Sequence, residues 1–135
     1  MVLNIQVIAP DRTVWNTNAE EVILPSSTGQ LGILSGHAPL LTALDIGVMR
    51  VKINKEWTPI VLMGGFAEVE NNKLTILVNG AEEISEIDEE KAQENLDNAI
   101  KNLDDATSIK DKIEATQNVR KARARLQAVN TLTLN

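Results

Sequence analysis

The sequence predicts an α+β chain: an N-terminal antiparallel β-sandwich over residues 1–84, then a C-terminal antiparallel two-helix hairpin over residues 85–135. Up to about Ile84, apolar residues recur with the period of two expected of half-buried strands. Beyond it they fall at alternating spacings of four and three, the stripe of an amphipathic helix. Asparagine-bearing pairs sit between the strand-like runs, where two-residue hairpin turns need a residue that tolerates positive φ.

Leu3-Asn-Ile-Gln-Val7 alternates as a first strand. Pro10-Asp11 and Pro25-Ser26-Ser27 punctuate the next segments of the chain. Val48-Met-Arg-Val-Lys-Ile53 and Leu74-Thr-Ile-Leu-Val78 are aliphatic and β-branched. Asn54-Lys55 and Asn71-Asn72 read as hairpin turns, and Gly64-Gly65 as a bend between strands. Short strands at this spacing give eight to ten strands in two sheets. Asp88 caps the first helix, and Glu89 and Glu90 complement its dipole. Its seam is Ala92, Leu96, Ala99, Leu103 and Ala106, broken at Asp104–Lys110. The second helix carries Ile113, Val119, Ala122, Leu126 and Val129. A short connection makes the pair antiparallel. The facing residues are mostly alanine, so the hairpin buries little area and is expected to be weakly attached and able to rearrange.

The bulk numbers exclude several functions. Aromatics are 2% of a chain that is 43% hydrophobic, so the core must be aliphatic. With no cysteine there is no disulfide, thiolate zinc site or thiol chemistry. Residues 1–10 have no basic start and do not read as a signal peptide. Apolar runs fall far short of the roughly 20 residues that span a bilayer, so membrane association is expected only through a partner. Net charge is −6, unevenly spread: residues 81–114 hold twelve acids against four bases, whereas residues 115–135 hold four bases and no acid. The acidic whole argues against nucleic acid, while the basic end suits an acidic protein surface.

The stretch 29–44, Gly-Gln-Leu-Gly-Ile-Leu-Ser-Gly-His-Ala-Pro-Leu-Leu-Thr-Ala-Leu, holds three glycines, a proline and the only histidine. It is too apolar for a solvated loop and reads as a rigid docking surface. His37 has no orienter and no companion ligands, and Ser35 and Thr42 supply no triad. It orders the loop or touches a partner. An enzyme is not expected, because the chain also lacks tyrosine and a glycine-rich phosphate loop after a strand.

This stretch resembles the epsilon subunit of F-type ATP synthases. The likeness continues through Asp45-Ile-Gly-Val-Met-Arg50, Leu62-Met-Gly-Gly-Phe-Ala67 and Asn71-Asn-Lys-Leu-Thr-Ile-Leu-Val-Asn79, the last two closest to the chloroplast and cyanobacterial branch. The resemblance implies a sandwich of about ten strands and a non-catalytic rotor subunit that takes no cofactor. Such a subunit couples proton flow to ATP synthesis and restrains ATP hydrolysis through its C-terminal helices. The implied partners are the gamma subunit, the membrane rotor ring of c subunits and the catalytic beta subunits. The implied location is the cytoplasmic or stromal face of a thylakoid or plasma membrane. The family's contact with gamma and the ring carries onto Gly29, Gln30, Leu31, Gly32, Gly36, His37, Ala38 and Pro39, with Gln30 standing where many relatives have an acid.

Two further constellations have competing readings. Ile87-Asp-Glu-Glu-Lys-Ala92 matches the place where many bacterial relatives carry Ile-Asp-x-x-Arg-Ala and bind ATP as a regulatory ligand. By that resemblance Asp88, Lys91, Ala92, Lys121 and Arg125 are nucleotide candidates, and the alternative function is an ATP-sensing module. Lysine does not replace arginine's planar fork, and Glu83, Glu86, Glu89 and Glu90 would repel a triphosphate, so weak binding or a plain capped helix start is expected. Arg120, Lys121, Arg123 and Arg125 spread over one broad helix side opposite Ala122, Leu126 and Val129. They read either as a solvated helix end or, by the resemblance, as an unneutralised inhibitory cluster that meets acids of the catalytic subunits.

Overall fold

The computed structural model describes residues 2–10 and 12–133. Asp11 of the expected Pro10-Asp11 turn and the last two residues of the expected helical region lie outside them. Eight strands come first: β1 (Leu3–Ala9), β2 (Arg12–Ala19), β3 (Glu21–Ser26), β4 (Gly29–Leu34), β5 (Leu40–Ile53), β6 (Glu56–Glu70), β7 (Lys73–Val78) and β8 (Ala81–Glu83). A 3-10 turn (Ile84–Glu86) leads into helices α1 (Glu89–Asp105) and α2 (Ile109–Thr133).

The hydrogen-bonded path runs β2-β1-β7-β6-β5-β3-β4, with β8 beside β6. All pairings are antiparallel except β1 with β7, which is parallel. The strand count is eight rather than about ten, because β5 and β6 are 14 and 15 residues long and each continues through a bend. Gly64 and Gly65 sit within β6 rather than between two strands. One half of β6 pairs with β7 and the other with β8, so the same strand serves both layers. Gly65 makes this possible: its φ is +152°, and a Cβ there would lie 2.0 Å from the Leu77 carbonyl oxygen.

The turns have the expected chemistry. Asn54 and Lys55 (φ 51° and 68°) join β5 to β6, and Asn71 and Asn72 (φ 51° and 60°) join β6 to β7. Asparagine reaches this left-handed region at little cost.

The inner faces meet in one aliphatic core. Leu3, Ile5 and Val7 of β1 pack with Leu74 and Ile76 of β7, and with Val22, Met49, Val51, Ile60 and Leu62 of the other layer. All are essentially buried, and each such side chain contributes about 1.5–3 kcal/mol of transfer free energy. A second cluster lies on the opposite face of β5 and β6, where Val48 and Val61 are covered by Ala124 and Ala128 of α2. This explains the unbroken apolar run from Ile60 to Met63: both faces of that strand are buried, so the period of two disappears.

In the hairpin, Asp88 caps α1 by accepting from the Lys91 N–H at 3.2 Å. Ser108 does the same for α2 from the Asp111 N–H at 3.0 Å. Leu96 and Ala99 meet Val119 and Ala122, with Leu103 and Leu126 at the margins. Ala92 and Val129 are buried outside this cluster rather than in it, and two further expected seam residues are not buried. Ile113 is 61% exposed, and the buried face of α2 begins at Ala115. Ala106 is the C-cap of α1 rather than part of its stripe. Both lie at the connected end of the hairpin, beside the turn where α1 has ended and α2 has only begun.

Gly65→Ala is expected to destabilise the sandwich by about 3 kcal/mol or more, because strain at positive φ adds to a backbone clash. Gly32→Ala, which meets no atom within 4 Å, should stay within about 0.5 kcal/mol. Urea unfolding of both variants checks the contrast.

Candidate functional site

The glycine-rich stretch is not a single loop. Its first six residues form β4, which pairs with β3 along its whole length, so the ladder rather than loop packing makes it rigid. Ile33 points into the core, Leu31 is half-buried and Leu34 is exposed. At about 3.3 Å per residue, the strand holds Gly29 and Gln30 well away from Gly36 and His37, at opposite ends. Gln30 accepts from Arg50 Nη2 at 3.3 Å.

The 35–39 turn is clamped from outside. Asn72 Oδ1 accepts from the Gly36 N–H at 2.6 Å and from Ser35 Oγ at 3.4 Å. Gly36 has φ +86°, which few other residues would adopt. The His37 N–H donates to the Leu34 carbonyl at 3.2 Å, and its Nδ1 lies 2.7 Å from the Ala38 carbonyl, as a donor from the ring. The imidazole thus fixes its own turn, and among the described residues it hydrogen-bonds no carboxylate or nucleophile. Ala38 and Pro39 come next, exposed. In the sequence Asn72 reads only as a turn residue. Its side chain's second role depends on a neighbour 36 positions away.

A second surface emerges only from strand register. Ile8, Leu77, Phe66 and Ala43 stand side by side on β1, β7, β6 and β5. Phe66 is 57% exposed and Leu77 52%, and Leu41, further along β5, is 68% exposed. This row points away from the core, whose residues alternate with it. One signal is present in the sequence: the only phenylalanine sits in alternation with inward Ala67 and Val69.

The third region is the cleft where the hairpin meets the sandwich, lined by Glu82, Glu86, Asp88, Lys91, Asn95 and Arg125. Four nucleotide candidates (Asp88, Lys91, Ala92 and Arg125) meet here. The fifth, Lys121, lines a different groove with Asp45, Asn79 and Arg120. Asp88 is engaged in capping α1, and Arg125 already has an anion. Its Nε and Nη2 each donate to a Glu82 carboxylate oxygen at 2.7 Å, a bidentate pair. The Arg125 pKa is raised, first by this hydrogen bonding and then by the charge of Glu82, against the opposing effect of burial.

The basic cluster is therefore not four unneutralised charges on one side. Arg120 and Arg123 are exposed and Lys121 is half-buried. Arg125 is turned to the sandwich, because buried Ala124 and Ala128 press this part of α2 onto the sheet. Sequence alone could not pair Arg125 with Glu82, 43 positions earlier.

A rigid sandwich with exposed apolar and turn surfaces, carrying a lightly docked helical arm, defines a non-catalytic docking subunit of a larger assembly. Residues 2–84 match the family model "ATP synthase, Delta/Epsilon chain, beta-sandwich domain", and residues 85–130 match "ATP synthase, Delta/Epsilon chain, long alpha-helix domain". The chloroplastic ATP synthase epsilon chain of Porphyra purpurea is 74% identical over 128 residues, covering 95% of this chain and 96% of that one. The ATP synthase epsilon chain of Thermosynechococcus vestitus is 62% identical over 131 residues, covering 95% of each. The chain belongs to the epsilon-chain family of F-type ATP synthases, chloroplast and cyanobacterial type, whose members are non-catalytic central-stalk subunits. Among solved structures, the fold is similar to a chain of the Euglena gracilis mitochondrial ATP synthase, with TM-score 0.82 and 19% identity over 99% of this chain and 82% of that one. It is also similar to a chain of the Tetrahymena thermophila mitochondrial central stalk and c-ring, with TM-score 0.67 and 15% identity over 94% and 96%. At those identities the likeness concerns the fold. No helix among the described residues is long and apolar enough to cross a membrane.

Asn72→Gly should keep the β6–β7 turn, since glycine accepts positive φ, yet free the Gly36 amide. Hydrogen exchange at Gly36 should then quicken about fivefold, the equivalent of a hydrogen bond of roughly 1 kcal/mol.

Proposed function

We propose that the chain couples the gamma subunit to the c-subunit rotor ring through residues 1–84, and that residues 85–135 form a movable brake on ATP hydrolysis. The observation that carries this reading is the unequal strength of the two packings. The sandwich core is built from fully buried leucine, isoleucine and valine, whereas α2 touches the sandwich chiefly through Ala124 and Ala128. Burying an alanine methyl stabilises far less than burying a leucine. Switching between docked and extended hairpins requires states only a few kcal/mol apart, and a contact of this kind supplies such a gap.

In this reading two surfaces dock the sandwich. One comprises Gly29, Gln30, Leu31 and Gly32 along β4, with Gly36, His37, Ala38 and Pro39 at its end. The other is the row formed by Ile8, Ala43, Phe66 and Leu77. An exposed apolar row on a small chain favours a protein partner. When the hairpin extends along gamma, Arg120, Lys121, Arg123 and Arg125 meet acids of the catalytic beta subunits. Membrane association, at a thylakoid or plasma membrane, comes through the complex.

A nucleotide-sensing role for the cleft has weaker support. The cleft gathers Asp88, Lys91, Ala92 and Arg125 but not Lys121, and Glu82 already occupies the guanidinium.

Truncation after Ala106 is expected to preserve assembly and ATP synthesis while raising hydrolysis, measured on the reconstituted complex. Unchanged hydrolysis would refute the brake. Phe66→Ser combined with Leu77→Ser should weaken association with the gamma-containing core by about tenfold or more, with unfolding stability nearly unchanged. Titration of the labelled variant onto that core reads this out.

A further inference from the structure

We propose that the bidentate Glu82–Arg125 pair is a latch that sets how often the hairpin lifts from the sandwich, and that its release delivers Arg125 to the braking surface. The second half rests on the reading of the hairpin as a brake; the first does not.

The pair's position supports the latch. It is the only ion pair among the described residues, and it joins the two parts of the chain: Glu82 lies on β8 and Arg125 on α2. Both N–H···O distances are 2.7 Å, the short range of charge-assisted bonds. The Arg125 and Glu82 side chains are 31% and 26% exposed, so solvent screens the pair incompletely and added salt still reaches it. Ala124 immediately precedes Arg125, and Ala128 lies one turn further on. These two alanines cover Val61 and Val48, with Ile46, Met63, Ile84 and Ile87 packed around them. The docked hairpin is thus held by an apolar contact of small residues, which excludes water, and by a directional ion pair, which fixes where α2 sits.

Docking and braking also compete for the same charge. The Nε and Nη2 donors are committed to Glu82. While that pair stands, the side chain is held against the sandwich and away from an acid of a partner subunit. Glu86 and Asp88 line the same cleft and offer Arg125 an alternative on partial release, whereas Lys91 opposes it there.

Native-state thiol labelling tests the latch on the full isolated chain. The chain has no cysteine, so a single Val61→Cys reports lifting of α2, because Val61 is fully buried beneath it. Val48→Cys is a second probe of the same contact, and Val7→Cys in the sandwich core reports global unfolding. With Glu82→Gln or Arg125→Ala, labelling at position 61 should rise about five- to tenfold, with position 7 unchanged. The double variant should rise no further than either single one, the signature of coupled partners. Added salt should accelerate labelling in the parent chain and not in the double variant. Unchanged labelling at both 61 and 48, or fully additive effects, would overturn the latch. Hydrolysis by a complex carrying Glu82→Gln is scored separately and should be more strongly inhibited. If labelling rises and inhibition does not, the brake reading fails while the latch stands.

Discussion

The constraint on which the rest depends is the bend in β6 at Gly64 and Gly65. Leu77's carbonyl lies where a Cβ of Gly65 would be, so the strand can turn there only without a side chain. That turn lets one 15-residue strand pair with β7 in one layer and β8 in the other, and it closes the sandwich around an aliphatic core. It also presents Val61 and Met63 on the outer face of the second layer, which is where α2 docks. The path from sheet geometry to the hairpin's seat therefore runs through one residue.

The two packings differ in kind. Inside the sandwich, branched side chains from both layers interlock, and lifting one layer would expose a continuous aliphatic surface. Against the hairpin, Ala124 and Ala128 let the α2 backbone approach the sheet closely among Ile46, Met63, Ile84 and Ile87. Alanine methyls interlock little, so on their own they fix register weakly. A directional pair such as Glu82 with Arg125 supplies that register, as interlocking side chains do elsewhere in the molecule.

The exposed surfaces are likewise shaped by a few contacts. His37 and Asn72 hold a tight turn in shape, so a glycine-rich segment can be rigid without being buried. The row of Ile8, Leu77, Phe66 and Ala43 arises because four neighbouring strands each place an apolar residue outward at the same level. These side chains offer shape and apolar area rather than reactive groups, which suits a subunit that transmits position rather than performs chemistry.

The sequence by itself determined the elements and their order. Periods of two and of 3.6, the asparagine turns and the Asp88 cap are local properties, set by backbone sterics and by which face of an element is apolar. Composition alone likewise set the 29–44 segment apart as too apolar for a solvated loop. Tertiary structure decided the rest. It carried strands through bends that sequence punctuation reads as breaks, giving eight rather than about ten. It turned the front half of the 29–44 stretch into an edge strand and moved Ile113 out of the helical seam. It separated Lys121 from the other nucleotide candidates and tied Arg125 to Glu82. The common reason is distance along the chain. Contacts between positions some forty residues apart depend on how far layers bend and at what height a helix settles, and neither is written in any local pattern.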